Sequence, residues 1–485
     1  MKPCKIIIKD EVNCKIEGLE LTERKKLMKM FEYEVPGARY LPSVKLGRWN
    51  GKVSYFSLGG SSYINLLDKI IPVVDNAGYD IELDDLRETV HSFDFTQVSE
   101  DTFSDKTWPV GHPQAGQPIL LRDYQIEIIN GFLENPQSIQ EVATGAGKTL
   151  MTAALSKSIE QYGRSIVIVP NKSLVVQTEA DYINLGLDVG VYFGDRKELG
   201  RTHTICTWQS LNHLIKTREE LTSQEKIDSF MQDLICVMID EVHQAKADVL
   251  KTMLTGIFAN VPIRWGLTGT IPKELFASQS LFVSIGPVIN KLAASELQDR
   301  GVLASCHVNI VQLQDHVEFT NYQSELKHLL EDKKRLDTVA ELALNIKQTG
   351  NTLILVDRVN AGKELLDRLP DAVFVSGDTK LTERKEEYDD FATSNDKIAI
   401  ATYGVAAVGI NIPRIFNLVL IEPGKSFVRV IQSIGRGIRK AEDKDFVQIW
   451  DITSSCKFAK RHLTKRKEFY REANYPFSIE KLDYK

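Results

Sequence analysis

Short apolar runs and their spacing divide the chain before any single residue does. KIIIKD and CKIEGLEL, close together at the amino terminus, predict a β-hairpin, and the spacing in LTERKKLMKMFEYEV predicts a helix. VSYFSL returns to strand character, and INLLDKIIPVVDNAGYDIEL predicts a helix leading into a strand. Residues 1–112 therefore form a small α+β module. The stretch SDKTWPVGHPQAGQP, from Ser104 to Pro118, is rich in Pro and Gly and has no apolar periodicity, so it predicts a linker. From about 119 to 290, strand-like SIVIVP, HTICTW and LICVMID alternate with helical segments such as MTAALSKSIEQYG. After about 295 the alternation restarts with HVNIVQL, NTLILVD, AVFVSG, KIAIAT and NLVLIE. Apolar strands alternating with helices predict parallel strands with crossover helices, hence an α/β fold of two doubly wound parallel-sheet lobes in tandem. The expected boundaries are 113–292 for the first lobe, 293–456 for the second and 457–485 for a carboxyl-terminal tail.

Bulk properties narrow this picture without naming a function. A chain of 485 residues exceeds one hydrophobic core, which agrees with several domains. A net charge of -6 argues against a polycation that coats nucleic acid, so any such surface must be local. The six cysteines are scattered without a C-x-x-C pair, which predicts buried reduced thiols and no zinc cluster. The start MKPCKIIIKD lacks a signal-peptide core, and no apolar run approaches the roughly 20 residues that span a bilayer, so a cytoplasmic protein is expected.

The strongest chemical signal is Ala143-Thr144-Gly145-Ala146-Gly147-Lys148-Thr149, just before a helical pattern. Glycines let backbone amides wrap a polyphosphate, Lys148 reaches the β/γ-phosphates, and the Thr149 hydroxyl is suited to Mg²⁺. Val142 stands where the common motif has its first glycine. Downstream, LICVMI ends in Asp240-Glu241-Val242-His243. Asp240 would give Mg²⁺ a second anchor and Glu241 would orient or deprotonate the attacking water. In the second lobe, Gln432-Ser433-Ile434-Gly435-Arg436-Gly437-Ile438-Arg439 puts two arginines three apart on one helix face, suited to charge developing on a transferred phosphoryl group.

With these motifs in this order, residues 119–452 resemble the superfamily-two helicases, which have RecA-like lobes. The resemblance implies that Leu121-Arg122-Asp123-Tyr124-Gln125 reads adenine, through Arg122 and Gln125, and that Val169-Pro170-Asn171 and Thr207-Trp208-Gln209-Ser210 touch DNA. Leu267-Thr268-Gly269-Thr270 is similar to the element linking hydrolysis to the DNA groove, which makes Thr268 and Thr270 implied DNA contacts. Leu355-Val356-Asp357 with Arg358, Val375-Ser376-Gly377-Asp378, and Ala401-Thr402-Tyr403-Gly404-Val405 continue the set, implying Arg358, Ser376 and Thr402 as further contacts. Gly409 is implied near the nucleotide, although neighbouring Asn411 departs from an acidic residue that many members carry there. DEVH and TGT favour a DNA motor over an RNA helicase of the DEAD-box kind, and TYGVAAVGINIP resembles the XPB-like branch. Gly37-Ala38-Arg39-Tyr40 and Gly47-Arg48-Trp49-Asn50-Gly51-Lys52 extend the resemblance to the phage UvsW-type recombination and repair helicases. That family implies ATP and Mg²⁺ as cofactors, with unwinding, branch migration and fork regression of branched, double-stranded and single-stranded DNA.

Other readings stay open at this point. A restriction or nuclease motor is one, although residues 1–112 carry no clear PD-(D/E)xK motif, and an RNA helicase is another. Tyr40, Lys45, Arg48, Trp49 and Lys52 either engage DNA or comprise a small aromatic core with solvated cations. The run Lys457–Arg471, with seven cations against Glu468, is either a DNA contact or a solvated helix packed on the second lobe through its aromatics.

Overall fold

The computed structural model describes the whole chain except residues 1, 111, 113, 218–220, 243–246, 376–390, 392, 410–413, 427–429, 431–432, 436, 439–442 and 485. It divides into two compact units, Met1–Val142 with Gly147–Lys291, and Ala143–Ala146 with Leu292–Lys485.

The first unit begins with a four-stranded sheet in the order Ser61–Tyr63, Asn13–Glu17, Lys2–Ile8, Tyr79–Asp85. Lys2–Ile8 runs antiparallel to Asn13–Glu17, as the two opening runs predict, and parallel to Tyr79–Asp85. The period of two in a strand sends Cys4, Ile6, Ile8, Cys14 and Ile16 to one face, where Leu27, Ile70 and Val74 of helices Leu21–Met30 and Leu67–Asn76 join them in a core. That core is not self-contained. Phe276 and Val283 of helix Leu275–Ser284 complete it, the Tyr55 hydroxyl lies 2.6 Å from Ser280 Oγ, and Asn13 Nδ2 donates to the Thr255 carbonyl at 2.9 Å. A separate antiparallel pair, Glu32–Glu34 with Lys52–Ser54, carries the Gly-containing segment 35–51.

The stretch expected to be a linker is a closed loop. Phe103–Thr107 pairs antiparallel with Pro118–Ile119, buried Phe103 lies opposite buried Ile119, and Trp108 stacks on His112 with centroids 3.9 Å apart. Two apolar anchors suffice here, too few to show as periodicity.

The rest of the unit is an eight-stranded sheet in the order Arg196–Lys197, Val189–Phe193, His203–Thr207, Arg164–Val169, Leu234–Asp240, Ile263–Thr268, Gln137–Val142, Val288–Leu292. From Val189–Phe193 to Gln137–Val142 the strands are parallel. Covered on both faces, they are buried almost throughout. The second unit is built on a wholly parallel seven-stranded sheet, in the order Val373–Val375, Ile398–Thr402, Thr352–Val356, Asn417–Ile421, Phe446–Ser454, Ser305–Leu313, Phe477–Leu482. The last strand and helix Lys457–Glu472 come from the stretch read as a tail, and both pack into this unit. All six cysteines are free and buried. Among the described residues no helix is long and apolar enough to cross a membrane.

Candidate functional site

Parallel strands present their carboxyl ends along one edge, which in such sheets is where ligands bind. Strand Gln137–Val142 ends there and turns through Gly145 (φ 91°) and Gly147 (φ 85°), left-handed conformations that favour glycine. Helix Lys148–Ile159 follows, and no side chain caps its first turn, which leaves a helix start suited to phosphate. Two strands away, Leu234–Asp240 delivers Asp240 to the same edge, and Glu241 follows with φ 54° and 6% exposure. The Lys148 ammonium lies 2.9 Å from Glu241 Oε1 and 3.4 Å from the Val142 carbonyl. Glu241 Oε2 accepts the Gly269 N–H at 3.2 Å. Three segments distant in sequence, the phosphate loop, the acidic strand end and Leu267–Thr270, therefore meet at one carboxylate.

Gln125 also reaches this place. Its Oε1 accepts the Arg122 N–H at 2.9 Å, and a Cβ built on Gly147 would lie 2.6 Å from its Nε2. Arg122 Nη1 donates to the Tyr124 hydroxyl at 3.1 Å. Beside them opens a polar cavity of about 640 Å³ lined by Trp108, Gln117, Leu121, Arg122 and Asp123 among others. Trp108 is among the lining residues that sequence reasoning missed; its only signal was an aromatic side chain isolated in a Pro/Gly-rich loop.

Thr149 and Asp240, both partly buried, offer one hydroxyl and one carboxylate. Among the described residues no cluster of three or more His, Cys, Asp or Glu side chains stands ready for a metal. Mg²⁺ characteristically takes one or two protein oxygens and completes its shell with phosphates and water, so this hard-oxygen pair fits it.

In the first unit Val169–Asn171, Thr207–Ser210 and Leu267–Thr270 stand at the carboxyl ends of parallel strands of the same sheet, but several of their side chains are engaged internally. Pro170 is buried, and Asn171 caps helix Lys172–Asn184 by accepting the Leu174 N–H at 3.0 Å. Thr207 caps helix Trp208–Lys216, accepting the Ser210 N–H at 3.3 Å and donating to Ser210 Oγ at 3.0 Å, while Gln209 Nε2 reaches the Pro170 carbonyl at 3.4 Å. Buried Thr268 donates to the Thr270 carbonyl at 2.8 Å, and the Thr270 N–H returns to Thr268 Oγ1 at 3.3 Å. In the second unit exposed Arg358 precedes helix Val359–Leu366. Thr402 ends the strand beside Thr352–Val356, and Gly409 ends helix Tyr403–Gly409. Ser376, Gln432, Arg436 and Arg439, together with His243 and Asn411, lie outside the described residues.

In the amino-terminal segment 35–51, Tyr40 is 64% exposed under the Arg39 guanidinium, 4.8 Å from its ring centroid. Arg48 is exposed. Half-buried Trp49 donates to the Lys52 carbonyl at 2.8 Å, and Lys52 Nζ lies 3.2 Å from Glu32.

Two domain families match the chain in order. Residues 118–273 match the type III restriction enzyme res subunit family, and residues 334–441 match the helicase conserved C-terminal domain. In this order the two matches are those of a helicase motor, as the resemblance to the superfamily-two helicases implies. It is 25% identical to the ATP-dependent DNA helicase uvsW of Enterobacteria phage T4, over 92% of this chain and 89% of that protein. It is 26% identical to a putative DNA 3'-5' helicase Rad25 of Haloarcula marismortui, over 68% of this chain and 52% of that one. Among solved structures, a fragment of a putative HsdR subunit of a type I restriction enzyme from Vibrio vulnificus YJ016 shares the fold. Its TM-score is 0.57 at 17% identity, covering 97% of this chain and 85% of that one.

Proposed function

We propose that this helicase spends ATP on unwinding and branch-migrating forked or four-way DNA in recombination, repair and replication restart, in the cytoplasm. The observation that carries the reading is the contact of Glu241 with both Lys148 and the Gly269 amide. An incoming triphosphate offers Lys148 a stronger partner than one carboxylate, so the ammonium moves to the β/γ-phosphates and Glu241 is released to orient and deprotonate the attacking water. The Gly269 N–H keeps that carboxylate in reach, which ties hydrolysis to the segment Thr268–Thr270. Thr149 and Asp240 would hold Mg²⁺, whose charge offsets that of the phosphates. Gln125 and Arg122, beside the polar cavity, are suited to an adenine edge. Pro170, Asn171, Thr207, Gln209 and Ser210, with Arg358, Ser376 and Thr402, follow the DNA strand in this reading; the capped helix starts leave backbone groups and small side chains to meet its phosphates.

Branched DNA needs a surface beyond the motor sheets. Segment 35–51 supplies exposed Tyr40 and Arg48 on a separate hairpin, with Trp49 and Lys52 at its base. Cations for phosphates and aromatic faces for bases suit the arms of a junction. The test is steady-state ATP turnover with single strands, duplex, fork, four-way junction and RNA duplex. Stimulation by DNA that is strongest on forks and junctions supports the reading; equal stimulation by RNA, or none by any DNA, defeats it.

A further inference from the structure

Helix Lys457–Glu472 buries one face and leaves the other cationic. Ala459, Leu463, Arg466, Phe469 and Tyr470 are buried. Arg466, in the sequence one more cation of the run, is fully buried: it donates to Asp451 at 2.8 and 2.9 Å and to the Gly424 carbonyl at 2.7 Å, while the Tyr470 hydroxyl reaches Asp451 at 2.7 Å. These bonds fix the helix's rotation. At 100° per residue, Lys457, Lys460, Arg461, Lys467 and Arg471 then fall within an arc of about 120° on the opposite side, along roughly 21 Å of helix; Glu468 lies on the same arc, 2.8 Å from Lys465. Lys457, Lys460, Arg461 and Arg471 are exposed, and among the described residues no carboxylate lies within ion-pair distance of any of the five.

The helix start itself is closed to an outside anion, because buried Glu325 accepts the N–H groups of Phe458 at 3.0 Å and Ala459 at 2.7 Å. Side chains alone are on offer. At that end they include rings: Tyr322 packs edge-on against Phe458 at 6.1 Å and His462 at 5.2 Å, with Lys457 and Arg461 each 5.9 Å from the Phe458 centroid. Burial, with Arg466 and Lys425 nearby, pushes His462 down to about 4, so near neutral pH it is one more uncharged ring.

We propose that this stripe is a second DNA contact, outside the helicase motifs, which grips the phosphate backbone of a duplex arm. The inference rests on the DNA-motor reading above. In a chain of net charge -6, five cations on one helix face, none of them ion-paired to a carboxylate among the described residues, are a concentrated exception. A duplex presents about one phosphate per 1.7 Å of axis, so a roughly 21 Å row can engage several at once. A regular polyanion matches that length better than a scattered acidic protein surface.

The experiment compares the full-length protein with its triple variant Lys457→Ala, Lys460→Ala, Arg461→Ala, using fluorescence anisotropy with a duplex and a fork from 50 to 300 mM salt, and polyglutamate as a competitor. Thermal unfolding of both proteins checks that the buried face is intact. Each phosphate contact contributes about 0.9 to the slope of log affinity against log salt, so loss of three should reduce the slope by roughly 2 to 3 and lower affinity at least about tenfold near 0.1 M salt. Unchanged affinity and slope overturn the proposal, as does weaker binding at an unchanged slope. If polyglutamate displaces duplex from the wild type but not from the variant, at lower concentrations than nucleic acid does, the stripe belongs to an acidic protein and the DNA proposal fails. Failure of the underlying reading looks different, since the wild type itself would then show no DNA-stimulated turnover.

Discussion

Lys148 and Glu241 lie with side chains 9% and 7% exposed, and each neutralises a charge that would be costly to bury alone. In the proposed function the pair is a resting arrangement that nucleotide breaks. Lys148→Ala should abolish ATP hydrolysis while leaving DNA binding largely intact; turnover within a factor of about ten of wild type would contradict the assignment. Glu241→Gln removes the ion pair and the water-activating carboxylate together, so it should bind ATP at least as tightly as wild type yet hydrolyse it slowly. Equilibrium nucleotide binding beside single-turnover hydrolysis checks this, and a collapse of binding would make Glu241 structural. At this scale the sequence was eloquent about chemistry and silent about occupation. The motifs around Lys148, Asp240 and Glu241 pointed to residues that the fold brings to one sheet edge, but nothing in them showed that Asn171, Thr207 and Thr268 are engaged in local hydrogen bonds. Small polar residues cap helices and meet phosphates with the same atoms, and composition does not distinguish the two uses.

Elements were legible where burial is uniform. Leu234–Asp240 and Thr352–Val356 lie between covered faces and read as plain apolar runs. Strand Gln137–Val142, which carries the phosphate loop, was not, because buried Ser138 and Gln140 interrupt it. Both donate to main-chain carbonyls, Ser138 to Asn135 at 2.8 Å and the Gln140 amide to Ile128 at 2.7 Å, and hydropathy cannot anticipate that. Helix Lys457–Glu472 shows the same limit with a charge. Arg466→Met would leave Asp451 buried without its cation, and breaking a buried pair on one side costs about 3–5 kcal/mol, so a large drop in unfolding midpoint is expected. A change within about 0.5 kcal/mol would show that the pair is dispensable. Nearby, burial pushes Glu422 up to about 7 even though Arg335 lies 2.8 Å away. The fold favours its protonated form, so that contribution is fully present below the ordinary value of 4.5 and is lost as pH rises through about 7. Glu422→Gln should flatten the fall in thermal stability between pH 5 and 8 by the share this group supplies; an unaltered profile would assign it elsewhere.

For the whole molecule, the amino-terminal module is less separable than its sequence implies. Residues 1–112 read in the sequence as a module of their own, yet Phe276 and Val283 complete its core and would be uncovered if it were removed. Apolar patterns in both segments read as self-sufficient, and only the fold shows that they share one interior. Point changes are thus the cleaner probe. Arg48→Ala with Tyr40→Ala alters exposed side chains only, and should weaken binding to forks and four-way junctions more than to single strands, with a reduced salt dependence. Equal losses on all substrates would assign segment 35–51 to general DNA affinity. The central claim, that ATP hydrolysis at Lys148 and Glu241 moves the branch point of DNA, is tested most directly by incubating a four-way junction with homologous arms, Mg²⁺ and ATP, and following its conversion to duplex products by gel. The account predicts conversion by the wild-type protein, none without ATP, and none by Lys148→Ala, even where that variant still binds the junction. Conversion by Lys148→Ala, or wild-type protein that hydrolyses ATP on the junction yet leaves it unresolved, would contradict it.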